Sequence, residues 1–129
     1  MDRLGFKGTD PAMRCCMGMQ FEKGTVHRHD STLEMCKSGF HFCPRLKDVH
    51  DYYPFSQSRV FIVQYGARVL WEKDRGVTDE IVFLREINAV TVAELMAAPE
   101  YKTLLCDNIF GLIWLFGSKC DKDTLRMLG

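Results

Sequence analysis

The residues of this chain that can do chemistry are concentrated between Cys36 and Tyr53. Within eighteen positions the stretch carries two cysteines, two histidines, a glycine and two adjacent tyrosines. Three chemistries are open to such a set. A cysteine nucleophile needs a lowered pKa and a neighbouring base, and Cys43, two positions from His41 and just ahead of a helix start, fits that description. Structural zinc prefers four thiolate or imidazole ligands. Cys36, His41 and Cys43 supply three, and Cys15 or Cys16 can supply the fourth. The third chemistry is an aromatic clamp, with His41 and the Tyr52–Tyr53 pair offering flat faces to a planar ring. Each has a plainer counterpart: free cysteines are common core residues, and the tyrosines can pack a helix on a sheet. No Cys-x-x-Cys knuckle is present, so no metal is expected.

Positioning this stretch requires a strand, a turn and a helix. Gly39 to Cys43 alternates, with Phe40 and Phe42 on one face and His41 and Cys43 on the other. Pro44 suits a first helical turn, Leu46, Val49 and Tyr53 follow at helical spacing, and Pro54 ends the run. Upstream, Leu4 to Gly8 reads as a first strand, Met13 to Phe21 as extended, and Thr25 to His29 as a strand or loop. His27-Arg28-His29 reads as a solvated pair of histidines. Downstream, Arg59 to Tyr65 is rich in β-branched and aromatic residues and reads as a buried strand. Ala67 to Trp71 extends it beyond Gly66, and Lys73 to Gly76 is a turn. Glu80 to Ile87 is the next strand, with Ile81, Phe83, Arg85 and Ile87 on one face and Glu86 on the other with Val82 and Leu84. Thr91-Val-Ala-Glu94 fits a capping box. One helix is expected from Pro99 to Gly117, and a short one from Asp121 to Leu128. Cys106 and Cys120 are most simply packing residues.

The chain as a whole sets limits on function. Its 129 residues fit one domain with one proper core, and 47% apolar with 26% charged residues is an ordinary folded composition. A formal net charge of zero, with no basic patch, excludes a general binder of nucleic-acid backbones. The first residues lack the apolar stretch of a secretory signal, and the longest apolar run falls well short of the ~20 residues that span a bilayer. A cytoplasmic protein without membrane attachment is expected. Six cysteines in that setting are free thiols or ligands rather than disulfides.

Lys7-Gly8, Gly18, Phe21, Gly24, Cys36, Gly39-Phe-His-Phe-Cys43, Tyr52-Tyr53, Gly66 and Arg85-Glu86-Ile87 follow one another in an order that resembles a small uncharacterised domain of bacteriophage and prophage genomes. That resemblance covers roughly residues 5 to 97 and implies a phage origin, hence a host cytoplasm. More distantly, Gly39-Phe-His-Phe-Cys43 through Tyr52 is similar to the segment by which the poly(ADP-ribose) polymerase and ADP-ribosyltransferase superfamily clamps the nicotinamide of NAD. His41 falls on the first aromatic position and Tyr52 on the second. The resemblance implies an α+β fold with an ADP-ribosyltransferase-like split antiparallel sheet over residues 1–97; the helical extension expected over 98–129 comes from the residue pattern and departs from the phage family. The superfamily resemblance also implies NAD as cofactor, a binding set of Gly8, His41, Tyr52 and Tyr53, and a catalytic pair of Glu86 and Lys7. Lys7 and His41 depart from the superfamily's residues at their positions.

Two functions are therefore expected. One is an NAD- or nucleotide-binding protein of ADP-ribosyltransferase type, with or without ribosyl transfer. The other is a phage-encoded interaction protein that blocks a host enzyme or defence complex. Residues 104–116 are too apolar for a helix with a fully solvated face, so the surplus covers the sheet or meets a host protein or a second copy.

Overall fold

The computed structural model describes residues 3–15, 20–29, 33 and 39–119. Among them are seven strands in two antiparallel sheets, followed by helices, an α+β architecture. The first sheet has the order β1 (Leu4–Thr9), β4 (Arg59–Tyr65), β7 (Glu80–Glu86), β2 (Val26–Arg28). The second has the order β3 (Phe40–Phe42), β6 (Arg75–Thr78), β5 (Val69–Glu72). The sheets are stitched together where Phe6 and Cys43 exchange two backbone hydrogen bonds of 2.8 Å. The helices are α1 (Leu46–Val49), α2 (Val92–Ala97), α3 (Pro99–Cys106) and α4 (Ile109–Lys119).

β4 explains why the core has two halves. Val60 and Ile62 face the helices, in a cluster with Phe6, Leu46, Ile87, Leu95, Leu105 and Leu115. Phe61 and Val63 face the other way, with Phe21, Phe40, Phe42, Ile81 and Phe83. A strand apolar on both faces must lie between two layers, so the first sheet is sandwiched between the helices and the second sheet. α3 and α4 contribute Tyr101, Leu105, Leu112 and Leu115 to the same cluster as Phe6 of β1. Helices beyond residue 97 thus share the core of the strands before it.

Four local expectations are corrected. The helix expected to reach Tyr53 is a single turn, after which Tyr52 and Tyr53 both donate their N–H groups to the Val49 carbonyl (3.0 and 2.8 Å). Lys73 to Gly76 is not all turn: Lys73 and Asp74 form a two-residue hairpin loop, and Arg75 opens β6. The expected long helix breaks at Asp107–Asn108 and runs past Gly117 to Lys119. At the break, the Asn108 side chain donates to the Leu104 carbonyl (2.7 Å) and accepts from the Leu46 N–H (2.9 Å). The capping box is replaced by Asn88, whose Oδ1 accepts the N–H groups of Val90 and Thr91 (2.9 and 3.0 Å). The Thr91 hydroxyl donates to the Glu86 carbonyl (2.7 Å), and Glu94 pairs with Arg85 (3.0 Å). The helix expected at Asp121–Leu128 lies outside the described residues.

The fifth correction bears on the site. The β4–β7 register shifts between Ile62 and Val63: Val63 faces Phe83, whereas Ile62 faces Arg85 and Phe61 faces Glu86. A bulge of this kind reverses side-chain parity along the strand. Ile81 and Phe83 therefore face the second sheet while Ile87 faces the helices, instead of all three sharing one face.

Candidate functional site

A cavity of about 250 Å³ opens where β1 and the turn after α1 meet β3 and β6 of the second sheet. Its walls are rich in aromatic residues (Phe6, Phe21, Phe40, Phe42, Tyr52 and Tyr53), and Lys7, Gly8, Cys15, Gly39, His41, Cys43, Val49 and Arg75 complete them. Five of the residues expected to form the site, Lys7, Gly8, His41, Tyr52 and Tyr53, line this one cavity. They come from three separate segments, which the pairing of β1 with Cys43 and the packing of Tyr53 on Gly8 bring together.

Lys7 is buried at 4% exposure, and its Nζ donates to the His41 carbonyl at 2.6 Å while lying 5.5 Å from the centre of the Phe21 ring. A buried ammonium is stable only when hydrogen-bonded, and this bond ties β1 to β3. Gly8 is a close-approach residue: a Cβ there would stand 2.6 Å from Tyr53 Cβ and 2.7 Å from its Cγ. The Tyr53 ring is in effect packed on bare backbone.

Electrostatics narrow the chemistry. Burial, then the Lys7 and Arg75 charges, pull the His41 imidazole down to about 4, so it is neutral at pH 7. Burial, then Asp74 and Asp48, push the Cys43 thiol up to about 12. A thiol so placed is protonated and poorly nucleophilic, which corrects the reading of Cys43 as a nucleophile. For zinc, Cys16 and Cys36 lie outside the described residues. Among the described residues His41 and Cys43 gather no third ligand-type side chain; the one such group is Asp48, Asp51 and Asp74, whose ligand oxygens lie within 4.8 Å of one another. Three carboxylates are a hard-oxygen set, unlike the thiolate–imidazole set zinc favours.

Glu86 stands apart from the cavity. The register puts Lys7, Phe61 and Glu86 side by side across β1, β4 and β7, so two strand spacings, roughly 10 Å, separate the backbones of Lys7 and Glu86. The Phe61 ring fills the position between them. The Glu86 carboxylate accepts from Nη2 and Nε of the Arg59 guanidinium, at 2.7 and 3.1 Å. Arg59 in turn lies 5.2 Å from the centre of the Phe61 ring.

Several residues around the cavity had no part in the expected site, Phe21, Arg75 and Asp74 among them. Phe21 and Arg75 line it, and Asp74 accepts the Tyr52 hydroxyl hydrogen bond at 2.7 Å. The Arg75 guanidinium lies 4.7 Å from the centre of the Tyr52 ring. The available signal was a two-residue gap between Val69-Leu-Trp-Glu72 and Arg75-Gly-Val-Thr78, a hairpin spacing. It was obscured because Lys73, not glycine or asparagine, takes the positive φ of 52°.

The helices leave a second surface. Ile109, Phe110, Ile113 and Trp114 on α4 are 43%, 79%, 63% and 53% exposed. Gly111, Leu112 and Leu115 on the opposite face are buried. No helix among the described residues is long and apolar enough to cross a membrane.

No curated protein and no solved structure shows a significant match to the chain. One family model does match, over residues 3–95, from β1 into α2 and short of α3 and α4. With that match spanning most of its length, the chain belongs to the family described as Domain of unknown function (DUF7666).

Proposed function

We propose that this protein binds NAD or a related nucleotide, holding the nicotinamide or base in the cavity between β1 and β3. The observation that carries the reading is the convergence of Lys7, Gly8, His41, Tyr52 and Tyr53 on one aromatic-walled space of about 250 Å³. Ligand pockets usually measure ~300–1,000 Å³, so this one suits a single ring system, with the rest of a dinucleotide outside. Neutral His41 can give or take a hydrogen bond from a carboxamide, and the tyrosines offer stacking faces.

The proposal is one of binding rather than ribosyl transfer. Breaking the bond to nicotinamide develops positive charge at the ribose, and a carboxylate must stand there. Glu86 is engaged by Arg59, and Phe61 separates it from Lys7. Isothermal calorimetry with NAD, ADP-ribose and nicotinamide tests the reading. Heat with wild type that is lost in Tyr52→Ala supports it, and no heat with any of the three sinks it.

A second reading rests on α4. Four large apolar side chains on one exposed helix face are the kind of surface that docks on a partner. A host protein, inhibited by direct binding, or a second copy of this chain would cover it. Capture from host lysate and light scattering compare wild type with Trp114→Ala; identical partners and identical mass count against this surface.

A further inference from the structure

Tyr52 is the outermost wall of the cavity, 40% exposed, and it follows a helix of one turn. A tyrosine so placed has rotamer freedom that its own element does not remove. Its position is fixed instead from the second sheet, by the hairpin that joins β5 to β6. Asp74 accepts the phenol hydrogen bond at 2.7 Å, a charge-assisted contact of the stronger kind. Arg75, the next residue, lies over the same ring at 4.7 Å. The same hairpin supports the cavity again through Trp71, which meets Phe42 edge-on at 5.5 Å. To make this turn the chain accepts a left-handed lysine, Lys73 at φ 52°, a conformation that favours glycine. Strain of this sort persists only where surrounding contacts over-determine the turn, and the two contacts to Tyr52 are of that kind.

We propose that Asp74 is a positioning residue of the cavity: it holds Tyr52 in place, beside Arg75 over the same ring, so that a planar ligand meets an aromatic wall already fixed. The ligand class this favours is an aromatic ring of nicotinamide or nucleobase size, because the fixed element is a flat aromatic wall. The proposal rests on the cavity being a ligand site, as argued above. Pre-fixing a wall spares the ligand the entropy of ordering it.

The test is a double-mutant cycle in calorimetry with NAD and nicotinamide, using Asp74→Ala, Tyr52→Phe and both together. Each single change should weaken binding about tenfold, and the double variant should be no weaker than the singles, since both remove one contact. A ligand-free arm follows the Tyr52 ring carbon by NMR across pH 9–11, the signal being assigned by its absence in Tyr52→Phe. With Asp74 present the phenol stays protonated over this range, its pKa being pushed up to about 12 chiefly by that hydrogen bond. In Asp74→Ala it should titrate near the ordinary value. If the NMR signal moves as expected while affinity stays at the wild-type value, the positioning role is overturned and the site survives. If Tyr52 titrates alike in both proteins, the contact itself is refuted. If wild type binds neither ligand, the site reading falls and the positioning role falls with it.

Discussion

Gly8→Ala adds one methyl group to a 129-residue chain and should be among its most damaging small changes. The new Cβ would stand 2.6, 2.7 and 2.9 Å from Cβ, Cγ and Cδ2 of Tyr53. Carbon atoms rest at ~3.5–4.0 Å, so the two groups must part by roughly 1 Å. Tyr53 cannot yield by swinging its ring, because its own Cβ is in the clash and its N–H is bonded to Val49 at 2.8 Å. The whole turn after α1 must lift from β1. Overpacking of this kind costs ~1–3 kcal/mol, and the involvement of backbone-anchored atoms puts this case at the upper end, about 2–3 kcal/mol. Circular dichroism melting should show a Tm lower by roughly 5–10 °C. Gly117→Ala is the matched control: nothing lies within 4 Å of its added Cβ, and it sits inside α4. There the same methyl should stabilise, by ~0.5–1 kcal/mol. A Gly8→Ala protein melting within about 1 °C of wild type would refute the packing of Tyr53 on β1 and the cavity wall built from it.

Three further outcomes are expected. His41 is held near 4 in the folded protein against an ordinary 6.5, so between those values the unfolded chain takes up the proton first. Its stabilising contribution is therefore complete above pH 6.5 and fades as pH falls towards 4. For a half-buried ring the loss is on the order of 1–2 kcal/mol, and urea titrations at pH 7 and 4.5 should show a flatter dependence in His41→Gln. Cys43, with its thiol pushed up to about 12, should resist iodoacetamide at pH 8 in the native state, whereas exposed Cys106 is alkylated; peptide mass spectrometry reads both, and rapid labelling of Cys43 contradicts its burial. Glu86→Gln should cost about 0.5–1.5 kcal/mol through its partly buried pair with Arg59 and leave nucleotide affinity within twofold. A tenfold loss of affinity would instead place Glu86 in the site.

The parts of this fold legible in the sequence are those where one strand's own pattern decides the outcome. β4 reads as a two-faced buried strand because Val60 to Val63 are all apolar, and it lies between two layers. β3 reads as alternating, and Phe40 and Phe42 are buried in one cluster while Cys43 belongs to the other. What failed depends on partners far along the chain. The bulge that moves Glu86 onto the face of Phe61 is a property of the β4–β7 pairing, invisible in β7 alone. The break at Asn108 depends on a hydrogen bond to Leu46, 62 residues away. The hairpin that clamps Tyr52 turns on a lysine at positive φ, where composition points to glycine or asparagine. Five of the six residues expected in the site line one cavity because the Phe6–Cys43 bridge joins β1 to the end of β3 and the turn after α1 packs Tyr53 on Gly8. The sixth, Glu86, sits beyond the bulge.

Amide chemical shifts of the wild-type protein titrated with NAD test the central claim most directly. Perturbations should gather on Lys7, Gly8, Gly39, His41, Tyr52, Tyr53 and Arg75, the residues around the cavity. An unchanged spectrum at millimolar NAD, or shifts confined to Phe110, Ile113 and Trp114 on α4, would contradict it.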